Sequence, residues 1–426
     1  MNTRRQVASG EGPALALSSI AFFFVMTSYY IIRPVRDQLS GAVGAAGLPA
    51  FYAITFVVML LLTPVFGWVV SRFPRRRVLI VSYVFFVVCL VAFIPAFLIQ
   101  DQIGAKALGR VFFVWVSVFN LFVVSLFWSF MADIYDSAQA RRLFSLIALG
   151  GMGGALCGPA LTSALVGLVG VAPLLVVSAV VLLIALGLLL VLARRDAESG
   201  VHAKEQEPIG GSLLEGVKAA WSQPFLRNMA FLMLLSDGIA TMAYALVADY
   251  AKAHYLDNAA RTAFYAHLDL AINLLGALLQ VTLTPLILRR FGAGWGLVVP
   301  SVVNFVLLAL VAIFGTPDIQ MFGVAISLLT IVQIGTRGLA YGMTKPASDA
   351  LYTRMPREAR YKGKNFIETT VWRFGDLLVT TSIQALRGVG VTIAGLGLIC
   401  AALSGLATVV ARRAARAPDL LPEERG

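Results

Sequence analysis

Arginines and carboxylates recur inside stretches that are otherwise apolar, and these are the residues with chemistry to do. Arg33, Arg36 and Asp37 stand in TSYYIIRPVRDQL, behind Tyr29 and Tyr30 and around Pro34, an aromatic and cationic corner at the end of a long apolar run. Asp237 follows Ser236 in a later run, and Tyr244 lies one to two turns beyond. Asp269, Asn273 and Gln280 are spaced to share one helical face, as are Gln333, Arg337 and Tyr341. Arg373 and Asp376, with Glu368 upstream, are spaced to pair along a helix. A charge in a membrane interior costs about 2.5–3.5 kcal/mol on insertion scales, so each is a candidate for a polar path. A guanidinium presents a flat fork of donors that matches carboxylate and phosphate. Arg33, Arg36, Asp237, Asp269, Asn273, Arg337, Arg373 and Asp376 are therefore candidate ligands of a small anionic solute, with the acids available for charge compensation or proton exchange. The same pairs could also be structural locks, and the two roles are compatible.

The elements that carry these residues must be membrane helices. The chain has 426 residues, 59% hydrophobic and only 13% charged, with a mean hydropathy of +0.84. That is too little polar surface for a soluble globule, and the solvent is expected to be lipid. The formal charge of +12 sits in short clusters in alternate loops, which is an orientation signal and not a nucleic-acid footprint. Cys89, Cys157 and Cys400 lie in apolar runs without metal or redox spacing. No phosphate loop and no nucleophile with a base partner is present, so no enzyme chemistry and no cofactor are expected. The basic N-terminus leads into an apolar run without a small-residue cleavage site, which reads as a retained first helix.

Apolar runs between charge clusters predict spans at 14–33, 48–70, 78–99, 111–134, 144–168, 172–193, 225–249, 264–288, 295–315, 319–343, 367–387 and 391–411. The expected architecture is all-α and integral to the membrane, with about twelve spans in two six-helix bundles, residues 1–195 and 221–426. A cytoplasmic linker, 196–220, joins them. Basic residues favour one side of the spans, which places both termini in the cytoplasm. The halves echo each other weakly: ADIYDSAQARRLF follows the fourth span and SDALYTRMPREARYKGKNF the tenth, as parallel repeats would. The glycines of ALGGMGGALCGPAL match a dinucleotide fingerprint in form, but no strand precedes them, and close helix packing is the better account.

The segment GWVVSRFPRRRVLI resembles the loop between the second and third helices of the major facilitator superfamily, and ALGGMGGALCGPAL resembles its glycine-rich gating helix. YYIIRPVRDQL, LFWSFMADIYDSAQARRLFSLIALGG and KPASDALYTRMPREARYKGKNFIETTVWRFGD together resemble the bacterial and plastid ATP/ADP translocases, a divergent branch of that fold. The resemblance implies a secondary transporter that holds phosphates on cations. Arg36 stands where that family has a helix-one lysine, and Lys362 and Lys364 stand at its Lys-Gly-Lys run. Arg72, Arg75, Arg76, Arg77, Arg141 and Arg142, with Lys362 and Lys364, become candidate gating residues. Val116, Ala248 and Ser348 stand where the family has two glutamates and a lysine, although acids follow the latter two as Asp249 and Asp349. The expectation is alternating-access transport of nucleotides, by ATP/ADP-type exchange as an antiporter, or of a related anionic metabolite. The protein would be a monomer in a bacterial inner membrane. Alternatives are a proton-coupled symporter or exporter of another solute, and a membrane partner protein without transport.

Overall fold

The computed structural model describes residues 11–199, 218, 221–321, 323–356 and 363–421. The expected linker therefore falls almost wholly outside the described residues. Twelve long helices and one β-hairpin are found among those residues. They are α1 (Gly12–Val43), α2 (Leu48–Arg72), α3 (Arg75–Leu98), α4 (Ala105–Ile134), α5 (Ser137–Val169) and α6 (Ala172–Ser199). There follow α7 (Pro224–His254), α8 (Asn258–Val281, resuming as Leu283–Phe291) and α9 (Ala293–Phe314). The helix α10 runs Leu328–Leu339, through a π-helical turn Ala340–Thr344, to Lys345–Tyr352. Next come α11, a π turn Ile367–Val371 followed by Trp372–Gly388, and α12 (Ile393–Ala415). Among the described residues ten helices are long and apolar enough to cross a membrane; the other two are α10 and α11, which carry several charged residues and wide turns.

By its internal contacts the chain divides into two units. Unit 1 comprises residues 1–42, 57–208 and 254–270; unit 2 comprises 43–56, 209–253 and 271–426. The core of unit 1 gathers the inner faces of α1, α3, α4, α5 and α6. Its aromatic centre interlocks Phe86, Phe93, Phe112, Trp115 and Phe119 at ring separations of 5.0–5.9 Å. The α1–α5 contact is set by glycine: a Cβ on Gly150, Gly154 or Gly158 would lie 2.1 Å from Ser19 O, 2.2 Å from Phe23 O or 2.6 Å from Tyr30 Cβ. Backbones that approach this closely pack well where lipid gives no hydrophobic drive. In unit 2, Gly342 packs in the same way on Gly276 O, 2.6 Å from where its Cβ would be.

Three sequence expectations are corrected. The first helix does not end near residue 33; α1 continues to Val43, so Arg33, Arg36 and Asp37 lie within it. Pro34 cannot donate to the carbonyl one turn back, yet the helix persists because its flanks are buried, and Thr162 of α5 donates to Ile31 O at 3.3 Å. The tenth span does not begin at 319. Asp318–Met321 and Val324–Ser327 pair as an antiparallel hairpin, with Gly323 at φ +80° in its two-residue loop. Ser327 then caps α10, its hydroxyl accepting from Leu329 N. The eighth helix breaks at Thr282 and restarts. Thr284, just past that break, donates to Gly342 O at 2.7 Å, in the π turn of α10. Wide turns leave carbonyls unpaired within the helix, and side chains of this kind satisfy them.

Candidate functional site

The charged residues expected from sequence collect in two clusters, one in each unit. In unit 1, Asp37 is the hub. Arg36 donates to Asp37 Oδ1 through Nε at 2.7 Å and Nη2 at 2.6 Å. Arg33 Nε lies 3.9 Å from Asp37 Oδ2, and Arg33 Nη2 reaches Asp269 Oδ1 at 3.4 Å. Each guanidinium also lies over a ring, Arg33 over Tyr30 at 5.4 Å and Arg36 over Phe113 at 4.7 Å, a contact favourable to cations in a dry setting. Next to Asp37 in the chain, Gln38 pairs with Gln100 through both amides. Asp37 was visible in the sequence beside Arg36, but its hub position depends on Arg33 and Arg36 sharing the inner side of α1.

In unit 2 the order is linear. Arg337 Nη1 of α10 bonds Asp237 Oδ1 of α7 at 2.9 Å, and its Nη2 reaches Thr241 Oγ1 at 3.5 Å. Thr241, one turn beyond Asp237, donates to Asp376 Oδ1 at 2.6 Å. Asp376 Oδ2 faces Arg373 Nη1 at 3.7 Å, and Arg373 lies over the Trp372 ring. Thr241 was not singled out from the sequence, since a lone threonine on an apolar helix gives no signal until its neighbours are known. Each cluster holds two arginines and two aspartates and is formally neutral. Neutrality is what the surroundings demand, because an unpaired charge there is costly and a paired one much less so.

The remaining candidates are dispersed. Asn273 is half-buried on α8, in unit 2, while Asp269 one turn earlier belongs to unit 1; Gln280 is exposed. Arg72, Arg76 and Arg77 are exposed at the α2–α3 corner. The side chains of Arg75 and Arg141, and all of Lys362, lie outside the described residues. Arg142 pairs with Glu11 at 3.0 Å, beside the capping box that Asp136 and Gln139 form at the start of α5. Lys364 bonds Asp349 at 2.7 Å and lies over Tyr352, in a cluster with Lys345 and Glu368 that ties the ends of α10 and α11. Lys345 is held more firmly protonated than usual: burial works against its charge, but the Glu368 and Asp349 carboxylates outweigh that.

A further group lies around the corner between α1 and α2. Asp249 of α7 accepts the Ala45 N–H at 2.7 Å and pairs with Arg387 of α11. Lys252 donates to Val43 O at 3.1 Å, and Gln384 to Ala46 O. Gly44 turns the corner at φ +73°.

This arrangement of helices and buried charges has a family. The family model of the Major Facilitator Superfamily matches residues 14–380. The chain belongs to that superfamily. No curated protein matches its sequence. Its fold is similar to that of the nucleoside transporter NupG, with a TM-score of 0.63 at 16% identity over 96% of this chain and 98% of that one. It is also similar to the POT family transporter PepTSo, at 0.65 and 15% over 95% and 98%. A bacterial homologue of the iron transporter ferroportin, in its inward-facing state, gives 0.61 and 14% over 95% and 98%. As a major facilitator the protein is a multi-pass membrane transporter that works by alternating access, and not an enzyme.

Proposed function

We propose that the transported solute is an organic anion bearing phosphate or carboxylate, with nucleotides as the leading class. The observation that carries the reading is the pair of neutral clusters, each with two arginines whose partners are carboxylates. An incoming anion presents the same acceptor geometry as Asp37 or Asp237 and can take over guanidinium donors from them. Arg33 and Arg36 of unit 1 and Arg337 and Arg373 of unit 2 are the proposed anion ligands, with Asn273 as a neutral donor. The resemblance of YYIIRPVRDQL to the nucleotide translocases, with Arg36 at the lysine position, supports a nucleotide over other anions.

In this reading the halves 1–195 and 221–426 rock about the bound solute. The protein acts as a monomer in a bacterial inner membrane with both termini in the cytoplasm, as the basic loops favour. The Arg142–Glu11 and Lys364–Asp349–Glu368 contacts are proposed as parts of the gating machinery that form and break during the cycle.

The test is thermal stabilisation of purified protein by nucleotides, sugar phosphates and organic anions, since a ligand that binds only the folded state raises the melting temperature by mass action. A shift with ATP or ADP that Arg36→Ala abolishes supports the proposal. Shifts confined to other anions would move the substrate class, and an Arg36→Ala protein with unchanged uptake would remove Arg36 from the site.

A further inference from the structure

We infer that Gln333 accepts a hydrogen bond from a hydroxyl of the transported anion, which narrows the solutes to hydroxylated phosphates and carboxylates, the sugar part of a nucleotide included; the inference rests on the reading that Arg337 meets the anion. Gln333 stands on α10 and is 3% exposed, and its Oε1 is buried and receives no hydrogen bond. Its own helix cannot supply the missing donor, because the backbone N–H groups there are committed to carbonyls one turn back. A buried amide oxygen left unmet is costly, and an apolar side chain of the same size would avoid the cost. Among the described residues the other neutral carbonyl oxygen in this condition, Asn304 Oδ1, lies on α9, which bears no charged residue. The unpartnered hydroxyls of Ser40 and Ser404 differ in kind, since rotation brings such a group to the carbonyl one turn back.

Position ties this oxygen to the anion site. By the helical repeat Gln333 stands about 40° round the axis from Arg337, and about 140–160° from Gly338 and Gly335. Those glycines mark the sides of α10 that other helices occupy: a Cβ on Gly335 would lie 2.7 Å from Leu307 of α9, and one on Gly338 would lie 2.6 Å from Leu275 of α8. Gln333 is turned away from both and shares the face on which Arg337 meets Asp237 and Thr241 of α7. Side chains one turn apart on a helix sit about 5–6 Å from each other. A solute that gives an anionic oxygen to Arg337 therefore brings its next atoms to Gln333, and a hydroxyl two or three carbons from a phosphate ester or carboxylate spans the interval. A cationic amine would seek the Asp237 carboxylate instead, so the group that suits a neutral carbonyl here is a hydroxyl. The same amide selects against anions with an apolar chain, which would leave its oxygen buried and unmet.

The test compares probes that differ only in hydroxyls: ADP with 2′,3′-dideoxy-ADP, glycerol 3-phosphate with propyl phosphate, and glycerate with propionate. Melting curves of the purified protein over a range of probe concentrations give a Kd for each, and the ratio within a pair cancels whatever a variant does to the fold or to anion affinity. The wild type is expected to prefer the hydroxylated member of at least one pair by about tenfold or more. Gln333→Met should bring that ratio to about one, while Gln333→Glu, which keeps an oxygen in place, retains the preference. A residue that only packs would weaken both members alike. A wild-type ratio near one in every pair that binds, or a preference that survives in Gln333→Met, overturns the inference and leaves the anion reading standing. Binding by no member of any pair overturns the anion reading, and the inference falls with it. A second measurement needs no ligand. Because the oxygen has no donor in the free protein, Gln333→Met should melt at or above the wild-type temperature; a fall of several degrees would show an amide already partnered and overturn the inference.

Discussion

Gly154→Ala tests whether the glycines of α5 exist for helix contact. The added methyl would lie 2.2 Å from Phe23 O and 2.9 Å from Thr27 N, both backbone atoms of α1. Backbone in a helix cannot turn aside as a side chain can, so the helices must part. Restoring an ordinary contact of 3.4 Å means opening the crossing by about 1.2 Å. Overpacking of this kind costs about 1–3 kcal/mol. Gly187→Ala is the control, because on α6 nothing lies within 4 Å of the new methyl and helix propensity alone makes that change favourable by about 0.5–1 kcal/mol. The same propensity gain offsets part of the overpacking cost, so thermal unfolding followed by tryptophan fluorescence should place Gly154→Ala up to about 5 °C below the wild type, at about 2 °C per kcal/mol for a chain of this size. The control should melt at or above the wild-type temperature. Equal melting temperatures for the two variants would refute the packing argument and return the motif to some other role.

Other perturbations follow from the same geometry. Removing Arg337 alone, as in Arg337→Gln, should destabilise by about 3–5 kcal/mol because a buried carboxylate loses its cation. In the double-mutant cycle with Asp237→Asn, a coupling of about 1–3 kcal/mol is expected in the melting data, and additivity would contradict the pairing. Thr241→Val should cost about 1–3 kcal/mol, since the hydroxyl that bonds Asp376 is lost, while Thr241→Ser should remain near wild type in the same assay. Gly44→Ala would strain a left-handed residue and bring its methyl 2.7 Å from Asp249 Oδ1. That variant, like Asp249→Asn, should raise severalfold the rate at which a thiol reagent labels an Ala45→Cys reporter, at a position now buried. Unchanged labelling would mean that the contacts around Asp249 do not hold that corner shut.

Much of this protein was legible from its residues one by one. Long apolar runs must become helices in lipid, because no water is there to bond an exposed backbone, so ten of the spans were fixed by hydropathy alone. A charge within such a run was equally conspicuous, which is why Arg33, Arg36, Asp237, Asp269, Arg337, Arg373 and Asp376 could be named before any fold was known. The errors fell where local signals conflict. The hairpin 318–327 reads as apolar span unless Gly323 is given weight as a turn residue, and Pro34 argues for a helix end that packing overrides. Partnership was beyond the sequence altogether. That Arg337 takes Asp237, that Arg33 reaches across 236 positions to Asp269, and that Thr241 bridges two carboxyl-bearing helices depend on which helices touch and at what rotation. Periodicity fixes the face of a helix that is polar, but not the neighbour that face meets. Tertiary packing therefore decided the neutrality of each cluster and left one oxygen of Asp237 without a donor.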